Sequence, residues 1–156
     1  MRVAVIGGSG YVGLITSLGL AELGHHVTGV DIDLARVEML QAGRLPFFEA
    51  GAEDVLQRNL EAGHLRFTTD LAAAVRRSEV VFITVATPAT ENGDADVSQV
   101  ESVASELRRH FHGYTVVVVK STVPVGTAER VAGIIGEAKR EGAEFDVVAN
   151  PEFLRE

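Results

Sequence analysis

The first 31 residues constrain the fold more than any other stretch. An apolar run, Val3-Ala4-Val5-Ile6, passes at once into Gly7-Gly8-Ser9-Gly10-Tyr11-Val12-Gly13. A helical pattern follows from Tyr11 to Leu23, with Leu14, Leu18 and Ala21 on one face, and a second apolar run closes at Asp31. A buried strand that turns sharply into a helix needs glycine where the backbone bends, where it approaches a pyrophosphate, and where helix packs on strand. Gly8, Gly10 and Gly13 are assigned those three positions. The N–H groups that open the helix, at Tyr11 and Val12, sit at the positive end of its dipole and can face phosphates. Asp31 lies 18 residues past Gly13, where a carboxylate can accept hydrogen bonds from both hydroxyls of an adenosine ribose. Glycine spacing alone is weak evidence. The preceding strand, the following helix and the acid-ended second strand together read as a dinucleotide-binding unit.

Asp33 is better placed than Asp31 to cap the next helix, at Leu34-Ala35-Arg36-Val37, which leaves Asp31 to a ligand. A carboxylate there repels a 2′-phosphate, so the expected cofactor is NAD rather than NADP. Arg36, one turn past Asp33, is within reach of the adenosine ribose or a phosphate.

Strand-like runs recur at 2–6, 26–31, 65–68, 79–85, 115–120 and 145–149, separated by helical stretches. Alternation of this kind implies an α/β doubly wound parallel sheet, a Rossmann fold of six strands in the order 3-2-1-4-5-6, with ligand at the strands' carboxyl ends. A length of 156 residues suits a single domain spanning 1–156, and 46% hydrophobic with only 6% aromatic residues suits strands covered on both faces. The excursion from Gly43 to Gly63 holds a helix near Glu53 to Glu61, and Thr87 to Asp96 is a turn-rich loop followed by a helix capped by Asp96 or Ser98. A formal net charge of −8 argues against nucleic-acid or anionic-membrane partners. With no long apolar run, and with an apolar strand where a leader would stand, the expected location is cytoplasmic. The chain has no cysteine, which excludes disulfides, a thiolate zinc site and a cysteine nucleophile within it. The five histidines, at 25, 26, 64, 110 and 112, fall in turns without metal-ligand spacing, so no metal site is expected.

Three segments follow the later strands at the ligand edge. Thr84-Val85-Ala86-Thr87-Pro88 offers a hydroxyl and a rigid turn beside the glycine loop, with Thr87 as the expected cofactor-binding residue. In Lys120-Ser121-Thr122-Val123-Pro124, Pro124 suits the first turn of the next helix and would gather Ser121 and Thr122 at its N-terminus. Asn150-Pro151-Glu152 places a carboxylate at the same edge.

Together these pieces resemble the N-terminal domain of the UDP-glucose/GDP-mannose dehydrogenase family. They are Gly-Tyr-Val-Gly-Leu (10–14), Val-Asp-Ile-Asp (30–33), Thr-Pro (87–88), Lys-Ser-Thr-Val-Pro-Val-Gly-Thr (120–127) and Asn-Pro-Glu-Phe-Leu-Arg-Glu (150–156). The resemblance implies oxidation of a nucleotide-sugar 6-hydroxyl, on a UDP- or GDP-hexose, to the carboxylate with two NAD reduced in succession, through an aldehyde and a cysteine thioester. It implies that Thr122 and Glu152 activate water for thioester hydrolysis, that Phe153, Leu154 and Arg155 line the sugar-nucleotide site, and that Glu156 lies near the reacting centre. It also implies a homo-oligomeric parent. The family's nucleophilic cysteine belongs to a C-terminal domain, and this chain stops inside the last motif, so the expectation is the cofactor half of a longer enzyme that binds NAD without turnover.

Two departures concern loops: family members carry one residue fewer between the first strand and Gly10, and their Glu-Pro-Gly-Leu reads Glu49-Ala50-Gly51-Ala52 here. The longer loop also admits Gly7-x-x-Gly10-x-x-Gly13, as in extended short-chain dehydrogenases. These require a Tyr-x-x-x-Lys pair, and neither Tyr11 nor Tyr114 supplies one. The competing reading of another class is a stand-alone NAD(H) sensor. A pure sensor has no need of the hydrolytic pair Thr122 and Glu152.

Overall fold

The computed structural model describes residues 1–137 and 142–152. Six strands, β1 (Arg2–Ile6), β2 (His26–Val30), β3 (Leu65–Thr68), β4 (Val80–Ile83), β5 (Tyr114–Val119) and β6 (Glu144–Ala149), form one sheet. Every strand pairing is parallel, and the order is β3-β2-β1-β4-β5-β6, as the alternation predicts. The helices are α1 (Tyr11–Glu22), α2 (Leu34–Gln41), α3 (Ala52–Glu61), α4 (Leu71–Val75), α5 (Ser98–Leu107) and α6 (Thr127–Gly136).

Side-chain alternation on β1 sorts the two apolar layers. Val3 and Val5 enter the layer that α1, α2 and α3 close with Leu14, Leu18, Val37, Leu40 and Leu56. Ala4 and Ile6 enter the layer closed by α4, α5 and α6 through Val75, Val100, Leu107, Val131 and Ile135. The chain winds outward from β1 through β2 to β3, then returns to lay β4 against the other side of β1. Connections on either side of that reversal leave in opposite directions, which opens a crevice outside the carboxyl ends of β1 and β4.

Local boundaries differ from the sequence reading in instructive ways. The fourth strand ends at Ile83, because Thr84 turns its hydroxyl onto the Ile6 carbonyl, 2.7 Å. Pro124 does not start α6. The helix begins three residues later behind Gly126, a left-handed N-cap at φ 91°, while the Pro124 carbonyl accepts the N–H and hydroxyl of Thr127. Residues 87–96 fold back as a small hairpin, with an antiparallel bridge between Ala89 and Ala95. The N-cap of α5 is Val97, and Asp96 assists from one residue earlier by accepting the Ser98 N–H. Asp33 caps α2 as expected, accepting the Arg36 N–H at 3.1 Å.

Ile83 is fully buried on the central strand β4. Ile83→Ala is expected to destabilise the domain by about 2–5 kcal/mol, read as a lower urea midpoint with an unchanged slope.

Candidate functional site

A cleft of about 550 Å³ lies at the carboxyl ends of β1, β2 and β4. Its floor is the glycine loop at Gly7, Ser9 and Gly10; Asp31, Ile32, Asp33 and Arg36 form one wall, and Thr84 to Ala86 with α5 form the other. The bend that makes the floor sits at Gly7, not Gly8. Gly7 has φ 86°, a left-handed conformation that side chains resist, and the N–H groups of Gly7 and Gly8 both donate to the Val30 carbonyl at 2.9 Å. Gly8 faces the sheet, since a Cβ there would stand 2.8 Å from Gly29 Cα. Gly8 therefore serves packing rather than the cleft.

Gly10 is the glycine that opens to the cleft, and it is the N-cap of α1 without any side-chain cap. The first-turn N–H groups, at Tyr11, Val12 and Gly13, have no carbonyl within the helix to bond. Gly13 packs where a Cβ would run into the Gly7 carbonyl oxygen and the Thr84 hydroxyl. Thr84 is thus the hydroxyl beside the glycine loop, the place the sequence reading gave to Thr87. The sequence places the segment 84–88 at the ligand edge, but nothing in it tells which of its two threonines faces the loop.

Asp31 is already engaged. Ser9 donates to its Oδ2 twice, from N at 3.0 Å and from Oγ at 2.6 Å, and the Asp33 N–H reaches Oδ1 at 3.1 Å. A carboxylate offers about four acceptor positions, so essentially one remains, on Oδ1. For Asp31 to accept both ribose hydroxyls, one of these donors would have to give way. Arg36 lines the same cleft and reaches back to Asp33 Oδ2 at 3.4 Å.

A second group of residues collects at the neighbouring strand ends, outside the cleft. Thr87 Oγ1 donates to the Thr122 carbonyl at 2.8 Å, and Thr122 Oγ1 donates to the Glu152 carbonyl at 3.0 Å. The Thr122 proton is therefore held by backbone rather than shared with the Glu152 carboxylate, and the hydroxyl's lone pairs stay free to accept. Tyr11 turns towards the same edge. Its phenol donates to Glu49 Oε2 at 2.9 Å, and its ring lies 5.1 Å from that of Phe47, which pins the excursion after α2 to the start of α1. The hydrogen bond and charge of Glu49, with a smaller contribution from Glu152, raise the Tyr11 phenol above its ordinary pKa. Phe153, Leu154, Arg155 and Glu156 lie outside the described residues. Among the described residues no three His, Asp or Glu side chains converge as a metal site, and no helix is long and apolar enough to cross a membrane.

Residues 1–156 match the UDP-glucose/GDP-mannose dehydrogenase family, NAD binding domain. The chain belongs to that family. It is 43% identical over 155 residues to the UDP-glucose 6-dehydrogenase TuaD of Bacillus subtilis, covering 99% of this chain and 33% of that protein. It is 48% identical over 159 residues to the UDP-glucose 6-dehydrogenase of Pseudomonas aeruginosa, covering all of this chain and 35% of that protein. Among solved structures, the ternary complex of GDP-mannose dehydrogenase from Pseudomonas aeruginosa superposes with a TM-score of 0.92 at 39% identity, covering 100% of this chain and 37% of that one. A UDP-glucose dehydrogenase from Pyrobaculum islandicum gives 0.91 at 42% identity, over 99% and 36%. The chain thus spans about a third of the length of these family members. It is an NAD-binding domain of this dehydrogenase family, and its cofactor is NAD.

Gly13→Ala is expected to cost about 1–3 kcal/mol through overpacking, and to weaken NAD binding as the start of α1 shifts, both readable by thermal shift with and without NAD. With two tyrosines and no tryptophan, tyrosinate absorbance reports the phenols cleanly. Tyr11 and Tyr114 should both titrate above the ordinary phenol value, Tyr114 because its O–H donates a hydrogen bond to the Asp146 carboxylate, and Glu49→Gln should return Tyr11 alone towards normal. A raised phenol pKa means the folded state holds the proton more tightly. The Tyr11 contact therefore stabilises the fold below that value and loses its contribution as pH climbs past it.

Proposed function

We propose that this chain is the cofactor half of a nucleotide-sugar 6-dehydrogenase that oxidises the 6-hydroxyl of a UDP- or GDP-hexose to a carboxylate with two NAD in succession. The observation that carries the reading is the hydrogen-bonded chain from Thr87 through Thr122 to Glu152, which gathers hydroxyl and carboxylate residues from the ends of β4, β5 and β6 beside the cleft.

The cleft fits the dinucleotide on its own chemistry. Gly10 leaves the backbone open to a pyrophosphate, and the N–H groups of Tyr11, Val12 and Gly13 meet it at the helix's positive end. Asp31 accepts a ribose hydroxyl on Oδ1, and Arg36 adds a positive charge at that edge. Ile32, 98% exposed in the cleft wall, offers the apolar surface that a flat base covers. The bound dinucleotide would supply the hydride acceptor for oxidation at C6 of the sugar. Thr122 and Glu152 hold the water for the hydrolytic step: the Thr122 hydroxyl, its own proton fixed on the Glu152 carbonyl, accepts from the water, and the Glu152 carboxylate is the base that takes a proton from it. Phe153, Leu154 and Arg155 are assigned to the sugar nucleotide, and Glu156 to the reacting centre.

The nucleophilic cysteine is assigned to a further domain of the parent, because none of these 156 residues is cysteine. The parent is read as a homo-oligomer. The sensor alternative gives the Glu152 carboxylate no chemical role.

The test is calorimetric titration with NAD and NADP beside an NADH-production assay with UDP-glucose, UDP-N-acetyl sugars and GDP-mannose. NAD should bind, NADP more weakly, and no sugar should be oxidised. Asp31→Ala should weaken NAD by roughly ten- to a hundredfold, the loss of a charge-assisted hydrogen bond. Turnover by this cysteine-free chain would refute the assigned mechanism, and failure to bind NAD would remove the cleft assignment.

A further inference from the structure

The carboxylate that faces the cleft is itself held by a buried hydroxyl. Ser9 is 1% exposed, and its Oγ donates to Asp31 Oδ2 at 2.6 Å while its N–H donates to the same oxygen at 3.0 Å. The Asp33 N–H takes Oδ1. With the Gly7 and Gly8 N–H groups both on the Val30 carbonyl, the next residue, Ser9, faces the end of β2. Two donors on one oxygen anchor that end of the side chain, and a single acceptor position on Oδ1 is left towards the cleft.

We infer that Ser9 is a positioning residue which locks Asp31 across the ribose and thereby makes the site reject a 2′-phosphorylated dinucleotide. The inference rests on the reading that Asp31 meets the adenosine ribose. A free aspartate at a strand end can rotate about its Cα–Cβ bond and carry its charge away from an incoming phosphate. Asp31 is denied that escape, because rotation would break the short Ser9 contact and strand a buried hydroxyl without its acceptor. The cation that a 2′-phosphate would use is already in the cleft. Arg36 lies along the same wall, in a half-exposed pair with Asp33 at 3.4 Å that water readily exchanges. A site tolerant of NADP is therefore separated from this one by the hydroxyl that fixes Asp31. Selectivity of this kind resides in the repulsive element rather than in added attraction.

The experiment is titration of the full chain and its variants with NAD and with NADP, with thermal unfolding as a check on the fold. Ser9→Ala should lower the ratio of NAD to NADP affinity by about tenfold, the weight of one hydrogen bond to a charged group. Arg36→Ala in the Ser9→Ala background should take back whatever NADP affinity was gained. A merely structural role for Ser9 would weaken both dinucleotides together and leave the ratio within about twofold of the unmodified chain; that result overturns the inference. Ser9→Gly also lacks the hydroxyl and is read the same way if Ser9→Ala does not fold. Loss of the fold in both counts against the inference, since it makes the hydroxyl a requirement of the loop. Asp31→Asn separates the two readings: an unchanged ratio there removes the ribose assignment itself, whereas a ratio that collapses in Asp31→Asn but not in Ser9→Ala removes only the role of Ser9.

Discussion

The contact on which the ligand edge depends is the approach of Gly13 to the Gly7 carbonyl and the Thr84 hydroxyl. That approach fixes how closely α1 lies on β1 and β4, and so where the first-turn N–H groups point. It also couples the two halves of the sheet. Thr84 follows β4, while Gly7 and Gly13 follow β1, so the reversal in strand order and the start of the helix meet at one packing point. Any residue larger than glycine there separates them, and because packed interiors transmit strain rather than absorb it, the displacement would pass along α1.

Around this point the loops are tied by contacts that are individually weak. The Thr87–Thr122–Glu152 chain and the Tyr11–Glu49 bond are exposed hydrogen bonds, for which water competes. Their importance is positional. They join the ends of three strands and the excursion after α2 into one rim, so side chains far apart in sequence keep a common geometry while the apolar layers beneath supply the stability.

Much of this was legible in the chain itself. Strand order followed from alternation, and the capping of α2 by Asp33 followed from its place immediately before Leu34. The finer assignments failed for identifiable reasons. Two adjacent glycines, Gly7 and Gly8, look equivalent until the backbone shows which one carries the positive φ. Pro124 is a sound helix starter, yet Gly126 in the left-handed region delays the helix by three residues. Thr84 is not told apart from Thr87 within its segment, and Ser9 carries no local signal. Their roles arise from partners 78 and 22 residues away, Ile6 and Asp31, and only tertiary structure brings such pairs together.

At the far side of the sheet, β6 pairs with β5 alone among the described residues, and its outer row of backbone donors and acceptors is a template for any extended chain that arrives. Natural sheets guard such edges with charge. Here Glu144 and Asp146 stand exposed on a strand that otherwise reads Phe, Val, Val and Ala. Two copies meeting edge to edge would crowd these carboxylates together, so the acid pair opposes pairing of that kind.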